Sequence, residues 1–206
     1  MLRIAAFCIG FALSTALAVA AGLDEQAPAG AYKTDPSHSS LLWSFNHSGL
    51  SNYTARFTGV NARLDWNPVK PEASMLTVEI DPMSVRTDYP WPDVVDFDAK
   101  IGGDPDFLAG KLIRFVSSTI RITGERTGIV EGVLTFRDQT HPASLNVTFN
   151  GSMAQHPIMK TAKLGFSATG TIRRSEWGLG FAIPELGDEV KLVIETQMVP
   201  ADYAFR

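Results

Sequence analysis

Apolar and polar residues alternate with a period of two through most of the chain from Tyr32 onward. In the segment "ASLNVTFNG", Leu145, Val147 and Phe149 are separated by Asn146 and Thr148. This alternation places apolar side chains on one face of a β-strand and polar side chains on the other. About eight such segments occur at fairly regular spacing, with turn residues between them, which predicts an antiparallel barrel or sandwich.

Two of the predicted strands change parity within their length, near Gly59 and near the pair Ser117-Ser118. One extra residue in a strand shifts parity in this way, so both positions are predicted to be β-bulges. Residues 92–110 break the alternation. Their apolar residues recur at helical intervals, and glycines at 102–103 and 110 provide stops, which predicts two short helical connections.

The composition suits one globular domain: the chain has 206 residues, of which 45% are hydrophobic and 19% are charged. The formal net charge is −4 and no cluster of Lys and Arg occurs, which argues against a nucleic-acid-binding surface. Charged residues such as Arg114, Glu131 and Lys191 recur on the polar faces of the strands. A membrane-spanning barrel would have an apolar outer face, so this pattern disfavours one.

Residues 1–21 have the pattern of a cleavable signal peptide, with Arg3 before an apolar stretch and small residues before Gly22. We therefore expect export, with residues 22–31 as a flexible lead-in and residues 32–200 as the folded domain. The only cysteine, Cys8, lies within the predicted signal peptide. The mature chain is therefore expected to have neither disulfides nor thiolate sites.

Several aromatic residues share the parity of aliphatic core positions, among them Trp43, Phe136 and Phe166. An eight-stranded barrel either fills its interior with such side chains or holds one slender ligand there. A closed barrel also has no free strand edges, which suits an exported chain without disulfides. The pattern therefore favours a barrel, and it leaves open whether the rings pack a core or line a cavity.

Seven segments, in this order and spacing, resemble a known family. They are "DPSHSSLLWSFNHSG", "RFTGVNARLDWNP", "SMLTVEIDPMSVRT", "IRFVSSTIRITG", "VEGVLTFRDQTHPASLNVTFNG", "LGFSATGTIRRSEWGL" and "LGDEVKLVIETQ". Together they cover roughly residues 32–198, and they resemble the YceI-like polyisoprenoid-binding family of small exported bacterial proteins. The resemblance implies an all-β fold: an eight-stranded antiparallel, lipocalin-like barrel with short helical connections around residues 92–110.

The resemblance also implies a binding protein and not an enzyme. It implies a periplasmic carrier that holds a polyisoprenoid or similar long-chain lipid, an isoprenoid quinone included, with no other cofactor. The expected partner is a hydrophobic small molecule and not a nucleic acid; transient contact with a membrane or membrane protein, and an oligomer, stay open. Two alternatives remain: an enzyme acting on a lipid or ester, and a partner of a membrane quinone or electron-transfer protein.

Parity within the strands selects the side chains that are expected to line the cavity. The predicted wall comprises Trp43, Phe45, His47, Phe57, Val78, Ile80, Phe107, Phe115, Phe136, Leu145, Val147, Phe149, Phe166, Phe181, Leu192 and Ile194. Phe107 and Phe181 lie in connections and are expected to close an end. His47, with one of Arg173 or Arg174, is the candidate for contact with a polar head group.

Other chemistry is weakly supported by the residues. The four histidines show no short metal-binding spacing, so no metal site is predicted; they are His38, His47, His141 and His156. No G-x-S-x-G motif occurs, and Asp93 and Asp96 are explained by helix capping. No catalytic residue is therefore predicted, and the enzyme alternative would need His47 or the pair Asp93 and Asp96.

The chain departs from the family pattern in two places. Ala55 stands where the family usually has glycine. The segment "DPDFLAGKLIRF" replaces a pair of phenylalanines followed by Tyr-Pro, and in the family this segment caps the barrel. Ligand length and ligand access are therefore not carried over from the family to this chain.

Overall fold

The computed structural model of the protein describes residues 26–205. The strands are β1 (Gly30–His47), β2 (Ser51–Phe57), β3 (Val60–Trp66), β4 (Met75–Ile80), β5 (Val85–Arg86), β6 (Ile113–Ile122), β7 (Thr127–Phe136), β8 (Gln139–Met153), β9 (Lys163–Arg173) and β10 (Glu189–Pro200). The one α-helix in this range is α1 (Phe97–Gly103). None of the helical segments between residues 26 and 205 has the length and apolarity needed to cross a membrane.

All ten strands belong to one antiparallel sheet that closes on itself through a pairing of β10 with β1. β2 and β3 are the two halves of one bent strand, and both pair with β1. The two-residue β5 only extends the sheet beside β2. The result is an eight-stranded barrel, which confirms the predicted fold.

The barrel has two ends with different connections. The connections 67–74, 123–126 and 154–162 lie at one end, which we call the open end because the cavity described below opens there. The connections 48–50, 81–112, 137–138 and 174–188 lie at the other, which we call the closed end. Successive antiparallel strands run in opposite directions, so each connection between two strands lies at one of these two ends.

Both predicted bulges are present. Thr58 and Gly59 interrupt the bent strand between β2 and β3, and the register of β6 against β7 shifts between Ser117 and Thr119. A Cβ at Gly59 would lie 2.9 Å from Ser84 Cβ, so this bend has no room for a larger residue. A third irregularity, in β1 between Thr34 and Ser39, is not apparent from the sequence pattern.

The connection at residues 92–110 contains one helix and not the two that were predicted. Asp96 caps α1 by accepting the N–H of Ala99 at 2.9 Å, so the helix begins later than Pro92. Residues 105–110 form turns, in which Ala109 and Gly110 have φ of 61° and 63°. These left-handed conformations cannot continue a right-handed helix.

The predicted lead-in is too long at its C-terminal end. β1 begins at Gly30, and Ala27 before it is fully buried and donates its N–H to Ser152 Oγ at 3.1 Å. Ala27 packs with Tyr32 and Leu164 in a small core at the open end, which holds this part of the chain in place. The predicted signal peptide and residues 22–25 lie outside the described residues.

A buried ion pair joins β1 and β9 across β10. Asp35, in the irregular part of β1, is fully buried and accepts a hydrogen bond from Lys163 Nζ at 2.7 Å. Lys163 also donates to Gln197 Oε1 at 2.8 Å, on the strand between them. The Nδ1 of His38 lies 2.9 Å from Asp35, and the backbone N–H of Ser37 donates to it at 3.1 Å. Three residues, Lys163, His38 and Ser37, therefore surround one carboxylate at the seam where the sheet closes.

The surroundings of Asp35 keep its carboxylate ionised. Burial by itself raises its pKa, but hydrogen bonds from Lys163, Ser37 and His38, together with the charge of Lys163, outweigh burial and hold the pKa well below its usual value. A lowered pKa contributes stability that is fully present above the unfolded-state pKa of about 3.9 and is lost as the pH falls below it.

We expect Asp35→Asn to lower the free energy of unfolding by about 3–5 kcal/mol at pH 7, because it leaves the Lys163 ammonium buried without an anion. Urea unfolding measures the change. The variant should also lose the part of the acid sensitivity that comes from Asp35, so its stability should differ less from the parent below about pH 3.9.

The matched control is Asp88→Asn, which removes one partner of an exposed ion pair with Arg56. Exposed pairs contribute about 0–1 kcal/mol, so this variant should unfold close to the parent. Equal decreases in the free energy of unfolding for the two variants would mean that the buried pair of Asp35 and Lys163 stabilises the fold no more than an exposed ion pair does.

Candidate ligand-binding site

Inward-facing apolar side chains are only half-buried in part of the barrel. On β8, Leu145, Val147 and Phe149 face inward and alternate with exposed Asn146 and Thr148, yet none of the three is fully buried. Ile194 on β10 behaves in the same way. Inward side chains in a packed core would lose nearly all their accessible surface, so these residues face a space and not a core.

That space is a cavity of about 420 Å³ inside the barrel, to whose wall all eight barrel strands contribute. Its volume lies in the range of small-molecule sites. Most of the lining is apolar, and six residues of the predicted wall belong to it: Val78, Leu145, Val147, Phe149, Phe166 and Ile194. The structure therefore brings these six together around one cavity.

The cavity opens between two connections at the open end. Val69, Pro71 and Glu72 lie on one side of the mouth, and the tip of the β6–β7 hairpin lies on the other. β4 pairs with β6 only from Ile113 to Val116, so the part of β6 from Ser118 to Ile122 has no β4 partner among the described residues. The ladder ends there because β4 begins at Met75, and the mouth lies beyond it, between the β3–β4 connection and the β6–β7 hairpin.

The other half of the barrel is a packed core. Four predicted wall residues, Phe57, Ile80, Phe115 and Phe136, are buried there, and Phe107 packs against this core. These residues fill the interior and do not line the cavity. Ile101 of α1 and Trp177 of the β9–β10 connection complete this core.

Three predicted wall residues lie on β1 and β10 beside this core. Trp43 and Phe45 are stacked with ring centroids 6.0 Å apart and an interplanar angle of 9°. Leu192 pairs with Trp43 across the seam and is half-buried. None of the three is in the lining of the cavity. Trp43 and Phe45 belong to an aromatic group near the closed end that also contains Tyr53.

The predictions for His47 and Phe181 as wall residues are wrong. β1 runs past the end of its partner β10, with which it pairs only as far as Ser44, so His47 is exposed at the closed end. Phe181 lies in the β9–β10 connection, and its ring is 69% exposed. Both residues are at the end opposite the mouth, where correct parity does not place a side chain inside the barrel.

The predictions for Arg173 and Arg174 as head-group contacts are also wrong. Arg173 is largely exposed on the outer face, 4.0 Å from Glu189. Arg174 is buried and donates to four backbone carbonyls of the β9–β10 connection, including those of Gly187 at 2.9 Å and Leu186 at 2.7 Å. Its donors are therefore used to shape this connection, far from the cavity mouth.

Trp66 is a lining residue that the sequence analysis did not select. Its ring lies 5.5 Å from that of Phe149 and 5.9 Å from that of Phe166, in the half of the cavity near the mouth. Its Nε1 is buried without a hydrogen-bond partner among the described residues, as is that of Trp43. The parity of β3 after the bulge at Gly59, where Leu64 and Trp66 share a face, is the signal that could have identified it.

A second pocket, of about 280 Å³, lies on the outer surface beside the seam and is lined by polar groups that include His38, His156 and Lys163. Burial, and then the charges of Lys163 and His38, lower the pKa of His156. Its Nδ1 accepts the backbone N–H of Met159 at 3.2 Å, so the neutral ring carries its proton on Nε2. Between residues 26 and 205, no three His, Cys, Asp or Glu side chains form a group that could hold a metal ion.

Comparison with known proteins gives concordant results. The model of the YceI-like domain matches residues 32–198. A UPF0312 protein of Pseudomonas putida (strain GB-1) is 34% identical over 173 residues, which cover 82% of this chain and 84% of that protein. The crystal structure of Burkholderia cenocepacia BcnA superposes with a TM-score of 0.66 at 20% identity, covering 80% of this chain and 98% of that one.

A further solved structure carries a functional description. It is a domain from Saccharophagus degradans, described as a polyisoprenoid binding domain implicated in plant cell wall breakdown. It superposes with a TM-score of 0.58 at 12% identity, over 82% of this chain and 98% of that one. At this level of identity, the similarity shows a common fold.

The same substitution on neighbouring strands should separate the packed half from the cavity. We expect Leu134→Ala to destabilise the protein by about 2–5 kcal/mol, because Leu134 is buried in the core. Leu145→Ala should cost less than about 2 kcal/mol, because the side chain already borders open space and loses fewer contacts. Denaturant unfolding of delipidated protein measures both, and similar losses would contradict a half-filled barrel.

Proposed function

The chain belongs to the YceI-like domain family, and from this premise we propose that it binds a long-chain amphiphilic lipid of the polyisoprenoid or isoprenoid-quinone class. The observation that carries the proposal is the apolar cavity, with its half-buried aliphatic and aromatic wall and a mouth at one end only. The description of the Saccharophagus degradans domain as polyisoprenoid binding supports the same ligand class.

The wall suits a branched hydrocarbon chain. Aliphatic side chains such as Val78, Val147 and Ile194 line the deep part, where a chain would exchange water for apolar contact. Each Å² of apolar surface that leaves water contributes about 25 cal/mol to the free energy of binding. Burial of the chain in a cavity of matching shape is therefore enough to hold such a ligand. The packed core below limits how far the chain reaches toward the closed end.

In the half near the mouth, the wall of the cavity contains a hydrogen-bond donor for a polar group of the ligand. The Trp66 indole N–H is buried in an apolar wall and has no partner among the described residues. An unpaired buried donor costs about 1–3 kcal/mol, and a ligand oxygen would offset this cost. Because the Nε1 atom has almost no accessible surface, a hydroxyl, carbonyl or ester oxygen reaches it only when the Trp66 ring turns toward the cavity, and the bond would then orient the ligand with its head toward the mouth.

We further propose that the protein acts as a carrier or store outside the cytoplasm. The signal-peptide pattern of residues 1–21 supports export, and binding without chemistry accounts for the cavity. The residues named for an enzyme do not converge: His47 is exposed at the closed end, and Asp96 caps α1. The described lining of the cavity contains no histidine. Binding is therefore the function that the geometry supports best.

We expect Ala168→Trp to reduce co-purified lipid at least about tenfold, because Ala168 lies in the cavity wall between Val147 and Ile194 and a large ring there would fill the space. Organic extraction of the purified protein, followed by mass spectrometry, measures the lipid bound per chain. Thr169→Trp, on the exposed face of the same strand, is the control and should retain the lipid. Absence of lipid from the parent and from both variants would contradict the proposed function.

We expect Trp66→Phe to change ligand preference and not overall binding, because it removes the N–H and keeps an aromatic ring. In a competition between geranylgeraniol and phytane, the bound ratio should shift about fivefold toward the hydrocarbon. Gas chromatography of the extracted ligands measures the ratio. Trp43→Phe removes the other unpaired indole N–H, outside the cavity, and should leave the ratio unchanged. An unaltered ratio in Trp66→Phe would exclude the proposed role of Trp66.

A further inference from the structure

Exposed apolar side chains border the mouth of the cavity. Val69 is 90% exposed at the tip of the β3–β4 connection and lines the mouth. Ile122, at the end of β6, lines its opposite side and is 42% exposed. Single exposed apolar residues are ordinary on a protein surface, but these two border the opening through which a hydrophobic ligand would pass.

Charge is distributed unequally between the two ends. At the closed end, residues 81–112 contain seven aspartates and three basic residues, and residues 174–188 contain three acidic residues and Arg174. At the open end, basic and acidic residues balance: Lys70, Arg126 and Lys160 offset Glu72, Glu125 and Asp202. The excess of acidic over basic residues therefore lies in the connections of the closed end, away from the mouth.

This asymmetry selects an orientation near a lipid bilayer. Bacterial-type bilayers with anionic lipids have a negative surface potential, which repels the acidic closed end within a Debye length of about 10 Å. The open end, with balanced charge, is not repelled. Its apolar rim gains free energy when it leaves water for the region between head groups and acyl chains.

We propose that the open end docks on a lipid bilayer surface, with Val69 and Ile122 as the docking rim and the mouth facing the lipids. The opening between the β3–β4 connection and the β6–β7 hairpin then connects the cavity with the acyl region, so a long-chain lipid passes between bilayer and barrel without crossing water. The role of docking in ligand transfer rests on the proposed function. Docking itself does not require a bound ligand and is tested separately from it.

Vesicle sedimentation tests the docking rim. Val69→Glu and Val94→Glu place the same charge at an exposed position on opposite ends of the barrel, since Val94 is 79% exposed at the closed end. With vesicles of phosphatidylethanolamine and phosphatidylglycerol, we expect Val69→Glu to lower the partition coefficient about tenfold and Val94→Glu to leave it unchanged. The full chain is used throughout, so any contribution of residues 1–25 to vesicle binding is common to all three proteins.

A positional probe decides the outcome even where another part of the chain contributes to binding. A fluorophore sensitive to polarity is attached at Val69→Cys or at Val94→Cys, each in a Cys8→Ser background that removes the only native cysteine. The emission maximum of the label at position 69 should shift to shorter wavelength when vesicles are added, and that of the label at position 94 should not. An equal response at both positions, or none at position 69, would overturn the proposal, as would self-association through the rim without vesicles.

The test separates docking from ligand binding. Ala168→Trp fills the cavity and leaves the rim intact, so it should dock like the parent while carrying no lipid. If the parent binds no lipid and the rim still docks, the proposed function fails and the docking surface stands. If lipid binds and the label at position 69 does not respond to vesicles, the docking surface fails and the proposed function stands.

Discussion

The barrel depends on the pairing of β1 with β10, since this ladder converts an open sheet into a closed one. The buried pair of Asp35 and Lys163 connects β1 with β9 across β10, and Gln197 on β10 accepts the second hydrogen bond of the lysine. Breaking such a pair leaves an uncompensated charge in the wall, so the seam cannot open locally at low cost. Closure in turn removes the free edges that would otherwise expose β1 and β10.

Within the closed wall, the interior is divided along the barrel axis. Toward the closed end, the interior is filled, because α1, Trp177 and the turn around Phe107 supply side chains that no strand could provide. Toward the open end, the ladder between β4 and β6 ends after four paired residues, and the mouth lies beyond it, between the β3–β4 connection and the β6–β7 hairpin. One half of the molecule therefore supplies stability, and the other half supplies a cavity, a mouth and a rim whose apolar residues and balanced charge suit contact with lipids.

Alternation in the strands was enough to predict the inward face, about eight strands of a barrel or sandwich, and two of the bulges, and the resemblance to the family indicated the eight-stranded barrel. Alternation also identified six residues that line the cavity, Val147 and Phe166 among them. It could not separate these from Phe115 and Phe136, because packed and cavity-lining residues share the same parity. It failed for His47 and Arg174, whose surroundings depend on where a partner strand stops and on how a long connection folds over a guanidinium group.

The sequence by itself determined the class of fold, the family and which face of each strand is apolar, because a period of two is a local property of consecutive residues. Only the tertiary structure decided how full the barrel is, where it opens and which apolar residues stay exposed at the mouth. These depend on distances between strands and connections far apart in the chain, such as the gap between residues 69–72 and 124–126 at the mouth and the contact of Asp35 with Lys163. Periodicity specifies a direction for each side chain, and packing decides what that side chain meets.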